Sequence, residues 1–202
     1  RAIKEHKANA RALDDRGTHA VTAGLAHRSE ASLATRRTIL MVDDAPLLIV
    51  IGVAGVGPGD FVGCYLTNGT EYLETLLACF KIRAVPVNIN YRYVTDELRY
   101  LLVDSGSVVL VCNERFLPRV AEVAPAVPAL RHTLVVADSD TPARLVDTGV
   151  PEPVDYEQAL RGPSADRPVV PGRGDDDIYV LYTGGTTGMP KGVVWRMGDA
   201  FF

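Results

Sequence analysis

Short apolar, β-prone runs alternate with segments of helical periodicity between Gly57 and Val136, and this alternation restricts the fold more than any other feature. Asp60-Phe61-Val62-Gly63-Cys64-Tyr65-Leu66 reads as a strand. Asn68 followed by Glu71 marks a helix N-terminus, and Tyr72, Leu73, Leu76, Leu77 and Phe80 recur on one helical face. Ala84-Val85-Pro86-Val87-Asn88 is a second strand, with Pro86 expected at a strand start or sheet edge. Thr95 is placed to cap the next helix, with Asp96 and Glu97 in its first turn, Leu98, Leu101 and Leu102 facing inward and Gly106 ending it. Ser107 to Val111 is a third strand, Asn113 to Ala124 a helix with Pro118 near its first turn, and Thr133 to Val136 a fourth strand. Strands separated by helices of this length pair in parallel, so the expected fold class is α/β, a doubly wound parallel sheet.

The stretch beyond is of another kind. Residues 138 to 174 hold six prolines and four glycines and read mostly as loop, with one short helix at Tyr156 to Leu160. Asp175-Asp176-Asp177 then leads into Ile178-Tyr179-Val180-Leu181-Tyr182, a buried strand. Alternate side chains of an extended segment face opposite ways, so the three carboxylates read as a solvated approach to that strand rather than a metal site.

That strand feeds Thr183-Gly184-Gly185-Thr186-Thr187-Gly188-Met189-Pro190-Lys191-Gly192, where three threonine hydroxyls, four glycines and one lysine share a single short loop. Glycines let backbone N–H groups approach an anion, hydroxyls donate to it, and lysine adds a compact positive charge. This is a composition suited to a polyphosphate. A Walker A loop needs Gly-Lys followed by Ser or Thr. Here Pro190 precedes Lys191 and Gly192 follows it, which argues against a P-loop NTPase.

A net charge of −4, from 21 basic and 25 acidic residues, provides no basic footprint and argues against a nucleic-acid partner. Cys64, Cys79 and Cys112 are odd in number and widely spaced, fit neither a disulfide framework nor a zinc site, and suit a reducing cytoplasm. The longest apolar run, Ala45 to Val56, contains Pro46, Gly52 and Gly55 and is too short for a transmembrane helix, leaving room only for peripheral membrane contact. The four histidines show no ligand spacing. No catalytic residue and no metal ligand is assigned.

The string Tyr182 to Gly192 resembles the phosphate-binding signature of the adenylate-forming (AMP-binding) superfamily, Tyr-Thr-Ser-Gly-Thr-Thr-Gly-x-Pro-Lys-Gly. Gly184 stands where that signature has serine. Gly57-Pro58-Gly59-Asp60 with Val62 and Asn68, and the block from Leu77 to Asn88, are similar to the family's preceding segments. Arg83 stands where the family has a glycine able to cap a helix in the left-handed region. Asn90-Tyr91-Arg92-Tyr93, Asp96 to Tyr100 and Val194-Trp195-Arg196 resemble the acyl-CoA synthetase branch that activates fatty acids and bulky, sometimes sterol-derived, acids.

The resemblance implies that Thr183, Gly184, Gly185, Thr186, Thr187, Gly188 and Lys191 embrace the β- and γ-phosphates of ATP, with Mg2+ accompanying the nucleotide. A carboxylic or fatty acid would attack the α-phosphate, release pyrophosphate and form an acyl-adenylate, and CoA would accept the acyl group. It also implies that adenine and ribose contacts, the acyl pocket and a mobile C-terminal domain follow this loop. The expectation is therefore a partial N-terminal domain over residues 53–202, truncated before the C-terminal domain and inactive alone. The alternative is a non-catalytic truncated remnant with at most weak nucleotide binding. Residues 1–52 do not fit the family: the first 38 hold eight basic and four acidic residues in an Arg- and Ala-rich stretch. They are expected to be disordered or to derive from a frame-shifted coding region joined near Gly52 to Gly57.

Overall fold

The computed structural model describes residues 54–161, 170–185 and 188–200. The atypical segment 1–52 lies outside the described residues. The elements run β1 (Phe61–Tyr65), α1 (Thr70–Ile82), β2 (Val85–Asn88), α2 (Thr95–Ser105), β3 (Val109–Asn113), α3 (Leu117–Val123), β4 (His132–Val136), β5 (Pro153–Asp155), α4 (Tyr156–Leu160), β6 (Ile178–Gly185), β7 (Gly188–Arg196) and α5 (Met197–Ala200). Single 3-10 turns, Glu114–Phe116 and Ala124–Ala126, flank α3.

The strands form one seven-stranded sheet in the order β5-β4-β3-β1-β2-β6-β7. Every pairing is parallel except that of β6 with β7. Side chains alternate across β1. Phe61 and Tyr65 join Leu98, Leu101 and Leu102 of α2 and Val120 and Val123 of α3. Val62 faces the other way, toward Ala78, Cys79 and Ile82 of α1 and Tyr156 of α4. Helices thus cover both faces, the doubly wound arrangement expected of strands that are apolar along their whole length. Gly63 lies under α2, where a Cβ would come within 2.8 Å of Leu110 Cδ1 and 3.1 Å of Ile89 Cδ1. The side chains of Leu110, Ile89 and, at 3.6 Å, Leu102 of α2 close over the space that a side chain there would need.

Several local expectations are corrected. Asn68 does not cap α1: Gly69 occupies the N-cap in extended backbone, with no side-chain cap. The buried face of α1 is Glu74, Thr75, Ala78, Cys79, Phe80 and Ile82, while Leu73 is exposed and Tyr72, Leu76 and Leu77 are half-buried. Glu74 is tolerated inside because the Tyr156 hydroxyl donates to it at 2.7 Å. Thr95 is the first residue of α2 rather than its cap, and its Oγ1 donates to Glu122 Oε2 at 3.0 Å. Glu97 supplies the capping contact instead, accepting the Val94 amide at 3.0 Å.

Pro86 is not on an edge, since β2 lies between β1 and β6. The amides of Val85 and Ile89 donate to the carbonyls of Asp60 and Cys64 on the β1 side, at 2.7 and 3.1 Å. By alternation, position 86 turns its backbone nitrogen toward β6, and the β2–β6 ladder starts only at Val87. The missing N–H of Pro86 therefore falls where no partner strand has yet arrived.

Gly106 ends α2 at φ 61°, as its position predicts. Arg83 ends α1 at φ 60° and ψ 23°, a left-handed conformation that costs a non-glycine residue about 1 kcal/mol. Tyr156–Leu160 is helical as expected, capped by Asp155 Oδ1, which accepts the Gln158 amide at 2.7 Å. The short strand β5 just before it was not foreseen. Among the described residues, no helix is long and apolar enough to cross a membrane. Cys64, Cys79 and Cys112 are free and buried, and burial holds the Cys64 and Cys112 thiols up at about 12.

Candidate functional site

The expected phosphate loop is the tip of an antiparallel hairpin. β6 does not lead from its glycines into a helix. It turns back as β7, with Tyr182 opposite Gly192, Thr183 opposite Lys191 and Gly185 opposite Gly188. The register shifts between Thr183 and Gly185, so Met189 and Pro190 together face the single residue Gly184. This is a β-bulge, and Pro190 sits where the ladder asks for no amide.

Directly opposed residues project from the same face of a sheet, so Thr183 and Lys191 present their side chains on one face of the hairpin. Both residues are exposed. Among the described residues, nothing lies within 4 Å of where a Cβ on Gly188 would be, and one on Gly184 would meet only the Tyr93 hydroxyl, at 3.8 Å. Among the described residues, the hairpin thus has two polar side chains on one face and open space at Gly184 and Gly188. Thr186 and Thr187 lie outside the described residues.

Two tyrosines tie the hairpin to α2 and to the segment that precedes it. The Tyr182 hydroxyl donates to Asp104 Oδ2 on α2 at 2.6 Å. Burial first, and then the Asp104 carboxylate, raises the Tyr182 pKa, so its proton stays in that bond. The Tyr93 hydroxyl donates to the Tyr182 carbonyl at 3.5 Å. The Tyr93 carbonyl in turn accepts the Tyr65 hydroxyl at 3.0 Å and Arg119 Nη1 at 2.8 Å. The buried end of β1 is thereby joined to the residue just before Thr183. Tyr93 and Asp104 escaped the sequence reading of the site. Asp104 lies 78 residues from its partner, and no local signal pairs them. Strand β7 had a signal, the β-prone Val193-Val194-Trp195.

Trp195 stacks on Tyr179 across the hairpin, with ring centroids 6.4 Å apart and planes 16° apart. Beside the tip, Asp96, Arg99, Tyr100, Val103, Asp104 and Met189 line a groove of about 670 Å3. A second concavity, about 810 Å3, opens at the carboxyl ends of β4 and β5. Glu71, Asp138, Asp140, Asp155 and Glu157 line it against one arginine, Arg161, a charge balance that disfavours a polyphosphate. Two of those carboxylates serve the fold: Asp155 caps α4, and Asp138 accepts the Arg115 amide at 2.7 Å. Among the described residues, no group of three or more His, Cys, Asp or Glu could hold a metal ion.

The family model for the AMP-binding enzyme matches residues 50–201. Medium-chain acyl-CoA ligase Mig of Mycobacterium avium is 49% identical over 142 residues, covering 70% of this chain and 25% of that protein. A 3-oxocholest-4-en-26-oate–CoA ligase of Rhodococcus rhodochrous is 45% identical over 147 residues, covering 73% of this chain and 26% of that one. The chain therefore spans about a quarter of the length of these relatives. Among solved structures, the anthranilate CoA ligase AuaEII in complex with anthranoyl-AMP has the same fold, at TM-score 0.66 and 22% identity over 78% of this chain and 29% of that one. Acetoacetyl-CoA synthetase from Streptomyces lividans aligns at TM-score 0.65 and 25% identity, over 79% of this chain and 25% of that one. The match over residues 50–201, with the fold shared with these structures, shows that this chain belongs to the AMP-binding enzyme family.

Proposed function

We propose that the protein carrying this segment is an ATP-dependent acyl-CoA synthetase, an acid–thiol ligase of lipid metabolism, and that residues 53–202 are part of its N-terminal AMP-binding domain. The observation that carries this reading is the pairing of Thr183 with Lys191 at an open, glycine-rich hairpin tip. In this reading Thr183, Gly184, Gly185, Thr186, Thr187, Gly188 and Lys191 hold the β- and γ-phosphates of ATP. Backbone amides and hydroxyls donate to the phosphate oxygens, and Lys191 offsets the charge that accumulates as pyrophosphate departs. Mg2+ would come with the nucleotide, and no residue of this segment is assigned to it. The names of the relatives support a medium- or long-chain fatty acid or a sterol-derived acid as the carboxylate, with CoA as the acceptor. Free, buried cysteines support a cytoplasmic location.

The test is ATP–pyrophosphate exchange by the protein carrying this segment, assayed with medium-chain, long-chain and sterol-type carboxylic acids. Exchange that depends on one of these acids and is lost in Lys191→Ala is expected. ATP binding with no acid-dependent exchange would replace the synthetase reading with that of a nucleotide-binding remnant.

A further inference from the structure

Two features of the sequence lie outside the phosphate-loop reading: an arginine at the left-handed cap of α1 and three consecutive aspartates before β6. The structure brings them together. We propose that Arg83 and Asp177 form a latch that positions the β6–β7 hairpin, a role that rests on reading the hairpin as the nucleotide site.

Arg83 Nε donates to Asp177 Oδ1 at 3.0 Å across 94 residues of sequence, and Arg83 Nη1 donates to the Pro171 carbonyl at 3.2 Å. The pair is only partly exposed, with side-chain exposures of 24% and 18%, so water weakens it less than a surface ion pair. Gly172 accommodates the approach, because a Cβ there would lie 3.0 Å from Arg83 Nη1. Asp177 holds both ends of the hairpin. Its Oδ2 accepts the Gly174 amide at 3.2 Å, on the chain entering β6, and its carbonyl accepts the Met197 amide at 2.8 Å, on the chain leaving β7. The backbone of Arg83 is itself anchored, since its carbonyl accepts the Gly59 amide at 2.8 Å just before β1.

The hairpin needs such a latch because its ladder to the sheet is short. β6 pairs with β2 only at Val180 and Leu181, and β7 has no other strand partner among the described residues. Tyr182 and Asp104 secure the hairpin toward its tip, and Arg83 with Asp177 secures its base. This also accounts for the aspartate run: Asp177 belongs to the latch, Asp176 lies 3.6 Å from Arg196, and the Asp175 carbonyl accepts the Gly198 amide. A glycine at position 83 would adopt the backbone turn more readily but would have no guanidinium. Arg83 is a positioning residue, acting on the loop only through β6.

The test compares Arg83→Gly, Arg83→Lys, Asp177→Ala and the Arg83→Gly/Asp177→Ala pair by amide exchange over residues 178–196, global unfolding and ATP affinity. A latch predicts that Arg83→Gly speeds exchange of the hairpin about tenfold, while exchange in β1 and β3 stays as in the parent and the unfolding midpoint does not fall, since glycine relieves the left-handed cap. The double variant exchanges no faster than Asp177→Ala alone, and Arg83→Lys recovers part of the protection. Unchanged hairpin exchange in Arg83→Gly, additive effects in the double variant, or faster exchange throughout the sheet would overturn the latch. Hairpin exchange that follows this pattern in a protein that does not bind ATP would uphold the latch and overturn the nucleotide reading.

Discussion

Strands β1 and β7 belong to one sheet but are held in different ways. All five residues of β1 are buried, between helices on both sides. In β7 only Pro190 is fully buried, and Val193 and Trp195 are 38% and 41% exposed. The first strand is stabilised mainly by apolar area withdrawn from water, spread over many contacts. The second is held by its ladder to β6, and β6 is itself tied down by a few directed bonds from Tyr182, Tyr93 and Arg83. A change in the parallel core should therefore appear as lost stability, and a change in the hairpin as altered local opening or binding.

The largest contrast is expected from truncation at the core. Leu110→Ala should destabilise the fold by about 3 kcal/mol in denaturant titration, whereas Val193→Ala should cost less than about 1 kcal/mol. Similar losses at both positions would break the comparison. Next in size is Lys191→Ala, expected to weaken ATP binding at least roughly tenfold, about 1.4 kcal/mol, with stability unchanged within about 0.5 kcal/mol. Isothermal titration and thermal melting of the same variant separate the two effects.

A smaller effect comes from Glu74, the acidic residue buried on α1. Burial raises its pKa above the ordinary 4.5, only partly countered by the hydrogen bond from Tyr156. The folded state then keeps the proton to a higher pH than the unfolded chain does. That contribution to stability is fully present below the unfolded value and is lost as pH rises through the raised one. Glu74→Gln, whose amide oxygen can still accept the Tyr156 hydroxyl, should be more stable than the parent at neutral pH, with the difference shrinking toward pH 4. A difference that grows toward acid would contradict this assignment.

The smallest effect is spectroscopic. Trp195 is the chain's one tryptophan and lies on the hairpin, so its fluorescence reports that region alone. Its denaturant transition should begin below that of far-UV circular dichroism, which reads the whole sheet. Coincident transitions would show that hairpin and core open as one unit.

The same contrast decided what was legible in the sequence. Interior parallel strands need apolar residues on both faces, so β1, β3 and β4 stand out as continuous runs flanked by helical periodicity. Their order and register did not, because pairing depends on contacts between distant residues. Pro86 illustrates this: its chemistry suggests an edge, and only the late start of the β2–β6 ladder explains its interior place. The exposed helix faces misled in the opposite sense. Leu73 follows the apolar periodicity of α1, yet the buried face is set by Thr75, Ala78 and Cys79, small enough for close approach to the sheet. At the site, the glycines, hydroxyls and lysine were readable from composition. The return strand β7 left a local signal in Val193-Val194-Trp195, but the bulge at Pro190 and the clamps from Tyr93, Asp104 and Arg83 did not, since each depends on a residue brought in by the fold.

The central claim is that the β6–β7 tip, rather than the acidic concavity at the ends of β4 and β5, receives the nucleotide phosphates. Amide exchange with and without magnesium-ATP tests this most directly, because it maps protection residue by residue in a single experiment. Protection concentrated over residues 182–192, and abolished in Lys191→Ala, is the result the account predicts. Protection around Asp138 to Pro142, or an unchanged hairpin in the presence of bound ATP, would contradict it.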